Sequence, residues 1–200
     1  KADDQLTKWI KANPWVKTYA VYKNLKWNYM QATWKSWIES DQHKTESEIT
    51  ALWNKMAFKK EHLFYAWLQF IADQQLSDAI RVKLYEIEQF DSSPSVNEFY
   101  FNDKPLWIDK ATRVGLVNAA NAAESLDMPL ITVGIGELSV TVPPSVLKEM
   151  LFRIEMYALS CYNVTLAHQN QVREITDIEL VRSFDVSDGY PEKIRLTYEV

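Results

Sequence analysis

The sequence predicts a mainly helical α+β protein, and three observations lead to that class. Only 4 of the 200 residues are glycine, which is too few for folds built from many tight turns. Apolar residues with helical spacing run through most of the first 92 residues. Beyond them, short alternating apolar and polar stretches indicate strands between helices. We therefore expect a helical domain at residues 1–92 and a small α+β domain at residues 93–200.

The first domain is predicted to be a Trp-rich helical hairpin or bundle. Spacings of three and four residues between apolar side chains predict a long helix over residues 15–38. Thr45 and Glu48 form a capping box that starts a helix over residues 45–74, and a further helix is predicted for residues 77–90. The connection between the first two of these helices is short, so they are expected to be antiparallel neighbours.

The second domain is predicted to combine two β-hairpins with one long helix. The long helix begins after Pro143-Pro144 and contains neither Gly nor Pro. In chain order the expected elements are a hairpin at 98–108, a helix at 110–126, a hairpin at 130–142, the long helix at 145–175, a short helix at 177–184 and a strand at 193–200.

One face of the long helix carries a seam with a period of 3.5 residues, which suits packing along another long helix. The sequence leaves open whether that partner is internal or a second copy. Within the seam, His168 could fix a register, form a pH-sensitive contact or have no role. The candidate interface residues are Leu147, Leu151, Ile154, Tyr157, Cys161, His168 and Val172.

Aromatic residues are concentrated in the first 90 residues, which hold 16 of the 26 and seven of the eight Trp. Most of them fall on apolar helical stripes, so a helical core is the simpler interpretation. The alternative is a platform on which sugar rings or bases stack beside Lys side chains. Trp9, Trp15 and Trp27 lie nearest the irregular joints and are the candidate contact residues.

Composition argues against several other classes of function. The net charge is −5 and the basic residues are scattered, which disfavours nucleic acid as a partner. No apolar run reaches the roughly 18 residues of a membrane span. The single Cys and the three His lack the spacing of a zinc site, and Cys161 and His168 are two helical turns apart, too far for a nucleophile and its base. We therefore expect no catalytic residue, metal or cofactor, and a protein that is not an enzyme.

Three sequence blocks in the second domain resemble one known family. They are Trp107–Leu116, Glu155–Thr165 and Gly189–Lys193. In this order they resemble an uncharacterised C-terminal domain of proteins from tailed phages and prophages of gut Bacteroidetes, encoded near tail and tail-fibre genes. The resemblance covers residues 98–200, and the family has no assigned activity or catalytic residues to carry over.

The resemblance implies a structural component of a phage particle, associated with the tail and located in the virion, or in the host cytoplasm during assembly. Such a protein would act by packing against other virion proteins or against itself as a homo-oligomer. One alternative is a tail-fibre assembly factor that binds a fibre transiently. A second alternative is a carbohydrate-binding module that uses the aromatic N-terminal half.

Overall fold

The structure, a computed structural model, describes residues 2–136 and 138–198 and confirms the mainly helical α+β class. The chain forms two compact units, Lys1–Asp78 and Ala79–Val200. The division lies upstream of the expected boundary at 92/93. The reason is that residues after Asp78 already pack on the C-terminal part of the chain: Lys83 Nζ donates to the Phe184 carbonyl at 3.3 Å.

Within its described residues, the first unit consists of helices joined by turns and contains no strand. Its elements are α1 (Ala2–Ala12), α2 (Trp15–Asn28), α3 (Glu39–Gln42), α4 (Glu46–Asn54) and the first part of α5 (Lys59–Asp91). Buried side chains from α1, α2, α4 and α5 form one core, and burying such apolar surface is the main stabilising contribution. The buried members are Ile10, Val16, Ala20, Val21, Ile49, Trp53 and Ala66.

Three predicted helix limits in this unit are wrong. The helix expected to reach residue 38 ends at Asn28, because the next residues turn the chain back. The helix expected over residues 45–74 stops at Asn54, since Lys55 is extended (ψ 115°), and a new helix starts at Lys59. That helix continues through Ser77, because a serine in a helix interior costs well below about 1 kcal/mol and does not force a start.

The second unit contains two small sheets and three helices after the end of α5. Its elements are β1 (Phe99–Phe101), β2 (Lys104–Leu106), α6 (Lys110–Ser125), β3 (Ile131–Ile135), β4 (Leu138–Val142), α7 (Pro144–Glu174), α8 (Ile178–Ser183) and β5 (Arg195–Leu196). One sheet has the order β2-β1-β5, with β1 and β5 parallel, and the other is the β3-β4 hairpin. Both predicted hairpins and the long helix are confirmed.

The turns of the two hairpins use left-handed backbone conformations. Asn102 and Asp103 join β1 to β2 with φ of 47° and 61°, values that suit a tight hairpin turn. Gly136, with φ of 58°, begins the second turn, and Glu137 lies outside the described residues. The final strand is shorter than the predicted one, since only Arg195–Leu196 pair with β1, and residues 199–200 lie outside the described part.

The predicted seam of α7 faces the interior of the second unit. The small residues of α6, such as Ala120, allow α6 to approach α7 closely. Leu147, Leu151 and Ile154 lie in the core that joins α6, α7 and the strands. All seven candidate seam residues (Leu147, Leu151, Ile154, Tyr157, Cys161, His168 and Val172) are buried within the chain. The internal alternative is therefore the one that the structure adopts.

Candidate functional site

A groove with aromatic walls opens on the surface of the first unit, and we call it the aromatic groove. Its volume is about 390 Å³, which lies at the small end of the usual range for ligand pockets, roughly 300–1,000 Å³. The lining residues come from α2 and from the segment that follows it. They are Tyr19, Tyr22, Lys23, Lys26, Thr33, Trp34 and Trp37.

Helix α2 supplies one wall of the aromatic groove. Tyr19, Tyr22, Lys23 and Lys26 are spaced by three or four residues and therefore share one face of the helix. The Lys23 ammonium lies 5.4 Å from the centre of the Tyr19 ring, close enough for a cation–π contact. This wall thus alternates flat apolar rings with flexible cationic donors.

A chain reversal after α2 supplies the opposite wall. Met30 and Gln31 both adopt left-handed conformations, with φ of 49° and 65°, which residues other than glycine seldom do. The backbone N–H of Gln31 donates to the Lys26 carbonyl at 2.9 Å, and that of Ala32 donates to the Tyr29 carbonyl at 2.9 Å. These bonds close the turn, so the segment with Trp34 and Trp37 runs back beside α2.

Trp37 is fixed between two tyrosine rings. Its ring stacks on Tyr29 with centroids 5.0 Å apart and planes 7° apart, and on Tyr22 with centroids 6.3 Å apart and planes 22° apart. Its indole N–H donates to the Ala32 carbonyl at 3.2 Å. Offset stacks of this kind add about 0.5–1.5 kcal/mol each beyond the area that they bury. Trp37 therefore acts as a rigid base for the groove.

Trp34 is the exposed ring of the groove. Its side chain is 45% exposed, while its indole N–H donates to the Gln42 carbonyl at 3.1 Å. The edge of the His43 ring contacts it at a centroid distance of 5.4 Å. Because its only polar atom is already bonded, the ring is held in one orientation and its apolar surface remains available.

A small ionic network stabilises the chain reversal after α2. The Tyr29 hydroxyl donates to Asp41 at 2.8 Å, and the Lys44 ammonium lies 2.7 Å from the other oxygen of the same carboxylate. The Lys44 hydrogen bond, helped by that of Tyr29, holds the pKa of Asp41 below its usual value. The same contacts raise the pKa of Lys44 and the pKa of Tyr29. Asp41 is therefore a structural anion.

The Trp residues selected from the sequence lie elsewhere in the first unit. Trp9 is half-buried, packs on Phe70 and donates its indole N–H to Asp73 at 2.9 Å. Trp15 and Trp27 are exposed, at 51% and 67%, but neither lines the aromatic groove. The sequence carries no Gly or Pro at the reversal, so the pairing of Trp34 and Trp37 with α2 had no turn signal to reveal it.

The polar members of the α7 seam form part of the interior. Cys161 is 3% exposed, and burial raises the pKa of its thiol. The Tyr157 hydroxyl donates to the Val96 carbonyl at 2.9 Å. His168 lies edge-on to Phe184 and Tyr190, and its Nδ1 has no hydrogen-bond partner within residues 2–136 and 138–198.

In the part of the chain that the structure describes, no group of three or more His, Cys, Asp or Glu side chains could hold a metal ion. No helix within those same residues combines the length and the apolar character that a bilayer crossing requires.

Comparison with known proteins gives one partial similarity. Residues 1–83 match the model of glycoside hydrolase family 77, described as 4-alpha-glucanotransferase. The match includes every lining residue of the aromatic groove and covers less than half of the chain. No curated protein and no solved structure matches the chain.

Proposed function

We propose that the first unit binds a carbohydrate of α-linked glucose units in the aromatic groove. The observation that carries this proposal is the exposed, oriented ring of Trp34 beside a wall of tyrosines and lysines. The partial match supports it, because the groove lies inside residues 1–83 and the matched family is named for glucan transfer.

The chemistry of the groove suits a sugar ring. A pyranose presents C–H groups on its faces and hydroxyl groups around its rim. The C–H face packs on an aromatic ring such as Trp34, and the hydroxyls accept hydrogen bonds from Lys23 and Lys26. The groove volume of about 390 Å³ fits a short segment of a glucan chain.

The proposed activity is binding without bond transfer. Enzymes that break glycosidic bonds generally place two carboxyl groups on either side of the bond, roughly 5–10 Å apart. Among the described residues that line the aromatic groove there is no Asp or Glu. The nearby carboxylate of Asp41 is engaged by Tyr29 and Lys44. A general acid and base are therefore missing from the lining.

Calorimetric titration of the full chain with maltoheptaose tests the binding proposal. Trp34→Ala removes the stacking ring and should weaken binding roughly tenfold or more, as expected for the loss of about 1.5 kcal/mol. Trp67→Ala is the matched control, since both Trp34 and Trp67 are 45% exposed and Trp67 does not line the groove. The control should bind as the wild type does.

Two results would contradict this proposal. If the wild type shows no heat with maltoheptaose, or if Trp34→Ala and Trp67→Ala weaken binding equally, the groove is not the site. A parallel titration with cello-oligosaccharide, which has β-linked glucose, tests the linkage. Product analysis after long incubation tests the absence of transfer, and elongated or shortened oligosaccharides would show an enzyme.

For the second unit we propose a role as a tail-associated component of a phage particle. Two of the three blocks that resemble the phage family contact each other directly: Arg113 Nε lies 2.7 Å from the Glu155 carboxylate, and the Arg113 guanidinium lies 5.7 Å from the Trp107 ring centre. Arg113 also donates to the Ile108 carbonyl at 2.6 Å. Residues of two of the blocks therefore contact each other in the fold. This contact supports the view that the blocks belong to one folded domain.

Purified phage particles would separate this proposal from its alternative. A stoichiometric band of this chain in the particles is expected for a structural component. Its presence during assembly and absence from finished particles would instead indicate a tail-fibre assembly factor. Absence from both would contradict the phage proposal altogether.

A further inference from the structure

The aromatic groove lies in a cationic part of an acidic chain. The protein has a net charge of −5, yet residues 5–38 contain six lysines and neither Asp nor Glu. This stretch includes α2 and the chain reversal, and it therefore contains every lining residue of the groove. A cleft lined by charge of one sign attracts ligands of the opposite sign. The six lysines are Lys8, Lys11, Lys17, Lys23, Lys26 and Lys35.

Two of these lysines bring unmatched positive charge to the groove itself. Lys23 and Lys26 line the groove, and both side chains are partly buried. Among the residues that the structure describes, neither ammonium group forms an ion pair. The carboxylate of Asp41, close to the reversal, is already paired with Lys44. With two lysines and no acidic residue, the lining carries a charge of +2.

The spacing of the two lysines suits one anion of high charge. Side chains three positions apart in a helix are neighbours, with about 5–6 Å between their Cβ atoms. The ammonium groups of Lys23 and Lys26 can therefore both reach a single phosphate ester, which has a charge of about −1.5 to −2 at pH 7 and three acceptor oxygens. A carboxylate carries only one negative charge and would leave half of the positive charge unmatched.

The small number of cations favours a sparsely charged chain over a nucleic acid. A nucleic acid has a phosphate at every nucleotide, and the proteins that bind it match several of these phosphates along a cationic face. The lining of the groove offers two ammonium groups beside the exposed ring of Trp34. This set matches one phosphate group and one sugar face.

We propose that the carbohydrate bound in the aromatic groove is a glucan that carries phosphate esters, and that Lys23 and Lys26 bind the phosphate. This inference rests on the proposed carbohydrate binding and specifies the class of ligand. Trp34 contacts the face of a glucose unit, and the two lysines distinguish a phosphorylated chain from a neutral one.

Calorimetric titrations of the full chain with maltoheptaose, and with maltoheptaose that carries one 6-phosphate, test this inference. At a pH of about 7 and low salt, the phosphorylated sugar should bind about tenfold more tightly, since two cations face one highly charged anion. Raising the salt from about 50 mM to about 500 mM should remove most of this preference, because salt screens the charges. The ratio of the two affinities is the readout, so changes in sugar stacking alone cancel.

The double variant Lys23→Gln, Lys26→Gln tests the two lysines. It removes both charges and keeps an amide donor at each position, so it should reduce the affinity ratio from about tenfold to nearly one. Lys17→Gln is the matched control, because Lys17 lies in the same helix and is also partly buried but does not line the groove. The control should keep the ratio of the wild type.

The outcomes separate this inference from the carbohydrate proposal on which it rests. Equal affinities of the wild type for the two sugars would overturn the inference and leave the carbohydrate site in place. If neither sugar binds, the carbohydrate proposal itself fails. A preference that persists in the double variant would mean that the phosphate binds elsewhere. Tighter binding of oligothymidylate than of the phosphorylated sugar would indicate a nucleic-acid site and also overturn the inference.

Discussion

Asp41 is the residue on which the chain reversal of the first unit depends. It accepts a hydrogen bond from the Tyr29 hydroxyl and pairs with Lys44, and Tyr29 in turn carries the stacked ring of Trp37. One carboxylate therefore connects the end of α2 to the segment after the reversal. A substitution of Asp41 should therefore alter the position of Trp37 in the aromatic groove, although Asp41 does not line the groove.

Asp41→Asn should lower the stability of the protein at neutral pH and leave it unchanged in acid. The folded pKa of Asp41 lies below its ordinary value of 3.8, so the carboxylate stabilises the fold above that value and loses this contribution as the pH falls through the folded pKa. We expect a loss of about 0.5–1 kcal/mol at pH 7, the range of a solvent-screened ion pair. Urea unfolding of both proteins at pH 7 and near pH 3 measures it.

Asp4→Asn provides the control for this comparison. Asp4 forms an exposed helical pair with Lys8, with side chains 68% and 76% exposed, and should contribute little at either pH. A stability difference for Asp41→Asn that persists unchanged in acid would show that the effect is steric and not due to the charge.

The positions of single side chains in the aromatic groove could not be predicted from the sequence. Nearness to irregular joints predicts Trp9, Trp15 and Trp27 as contact residues, and this stays a prediction, whereas the residues that line the aromatic groove include Trp34 and Trp37. Their position depends on two left-handed residues, neither of them glycine, that are held by contacts between parts of the chain. Such conformations follow from tertiary structure and leave no local pattern in the sequence.

Elements whose signals are local could be predicted from the sequence. The capping box at the start of α4 is one: the Thr45 hydroxyl accepts from the Glu48 N–H at 3.3 Å, and the Glu48 carboxylate accepts from the Thr45 N–H at 2.7 Å. Both bonds form among residues close in the chain, so the pattern alone determines them. The break between Asn54 and Lys59 leaves no such local signal, so the pattern predicts a continuous helix there.

Thr45→Ala should destabilise the first unit by about 1 kcal/mol, because it leaves the Glu48 N–H at the start of α4 without its acceptor. Thr45→Ser keeps the hydroxyl and should remain within roughly 0.5 kcal/mol of the wild type. Thermal or urea unfolding followed by tryptophan emission measures both. Equal losses for the two variants would mean that the methyl group of Thr45 matters and that the cap does not.

Helix α7 shows a different limit of prediction from sequence, which concerns the packing of a whole element. Its 3.5-residue period predicts a packing face, and the seam residues are buried in the structure, but the period does not identify which elements cover that face. The structure covers the first part of the seam with α6 and the strands, and its later residues pack on side chains such as Val96 and Tyr190, which the sequence could not decide. Exposed apolar residues such as Phe152 and Tyr162 interleave in the sequence with the buried residues of the seam, so a periodic pattern alone does not separate the two sides of the helix.

At the scale of the whole molecule, each unit has a hydrophobic core of its own. One lies among α1, α2, α4 and α5, and the other lies among α6, α7 and the strands. The sequence predicted two domains from the change in charge and pattern near residue 92. Because α5 runs without interruption from Lys59 to Asp91, no loop marks the division after Asp78. A boundary inside a helix has no composition signal to reveal it.

The two cores should respond separately to cavity-forming substitutions. Ile154→Ala removes a side chain that is 2% exposed in the second core, and we expect a loss of about 2–5 kcal/mol there. Tryptophan emission reports mainly on the first unit, which holds seven of the eight Trp, whereas far-UV circular dichroism reports on both units. Ile154→Ala should therefore shift the unfolding transition followed by circular dichroism much more than the unfolding transition followed by tryptophan emission.

Val21→Ala is the complementary variant, since Val21 is 1% exposed in the first core. It should lower the free energy of unfolding measured by tryptophan emission by about 1 kcal/mol or more. The part of the circular dichroism transition that reports on the second unit should not change. If both variants shift both signals equally, the chain unfolds as one cooperative body.

The burial of Cys161 has a practical consequence for spectroscopy. The only native thiol is 3% exposed, and its raised pKa disfavours the thiolate that reacts with maleimides. A fluorophore or spin label could therefore be attached through a new surface cysteine without first removing the native one. Labels at new cysteines near Trp34 would then test the proposed carbohydrate binding in the aromatic groove.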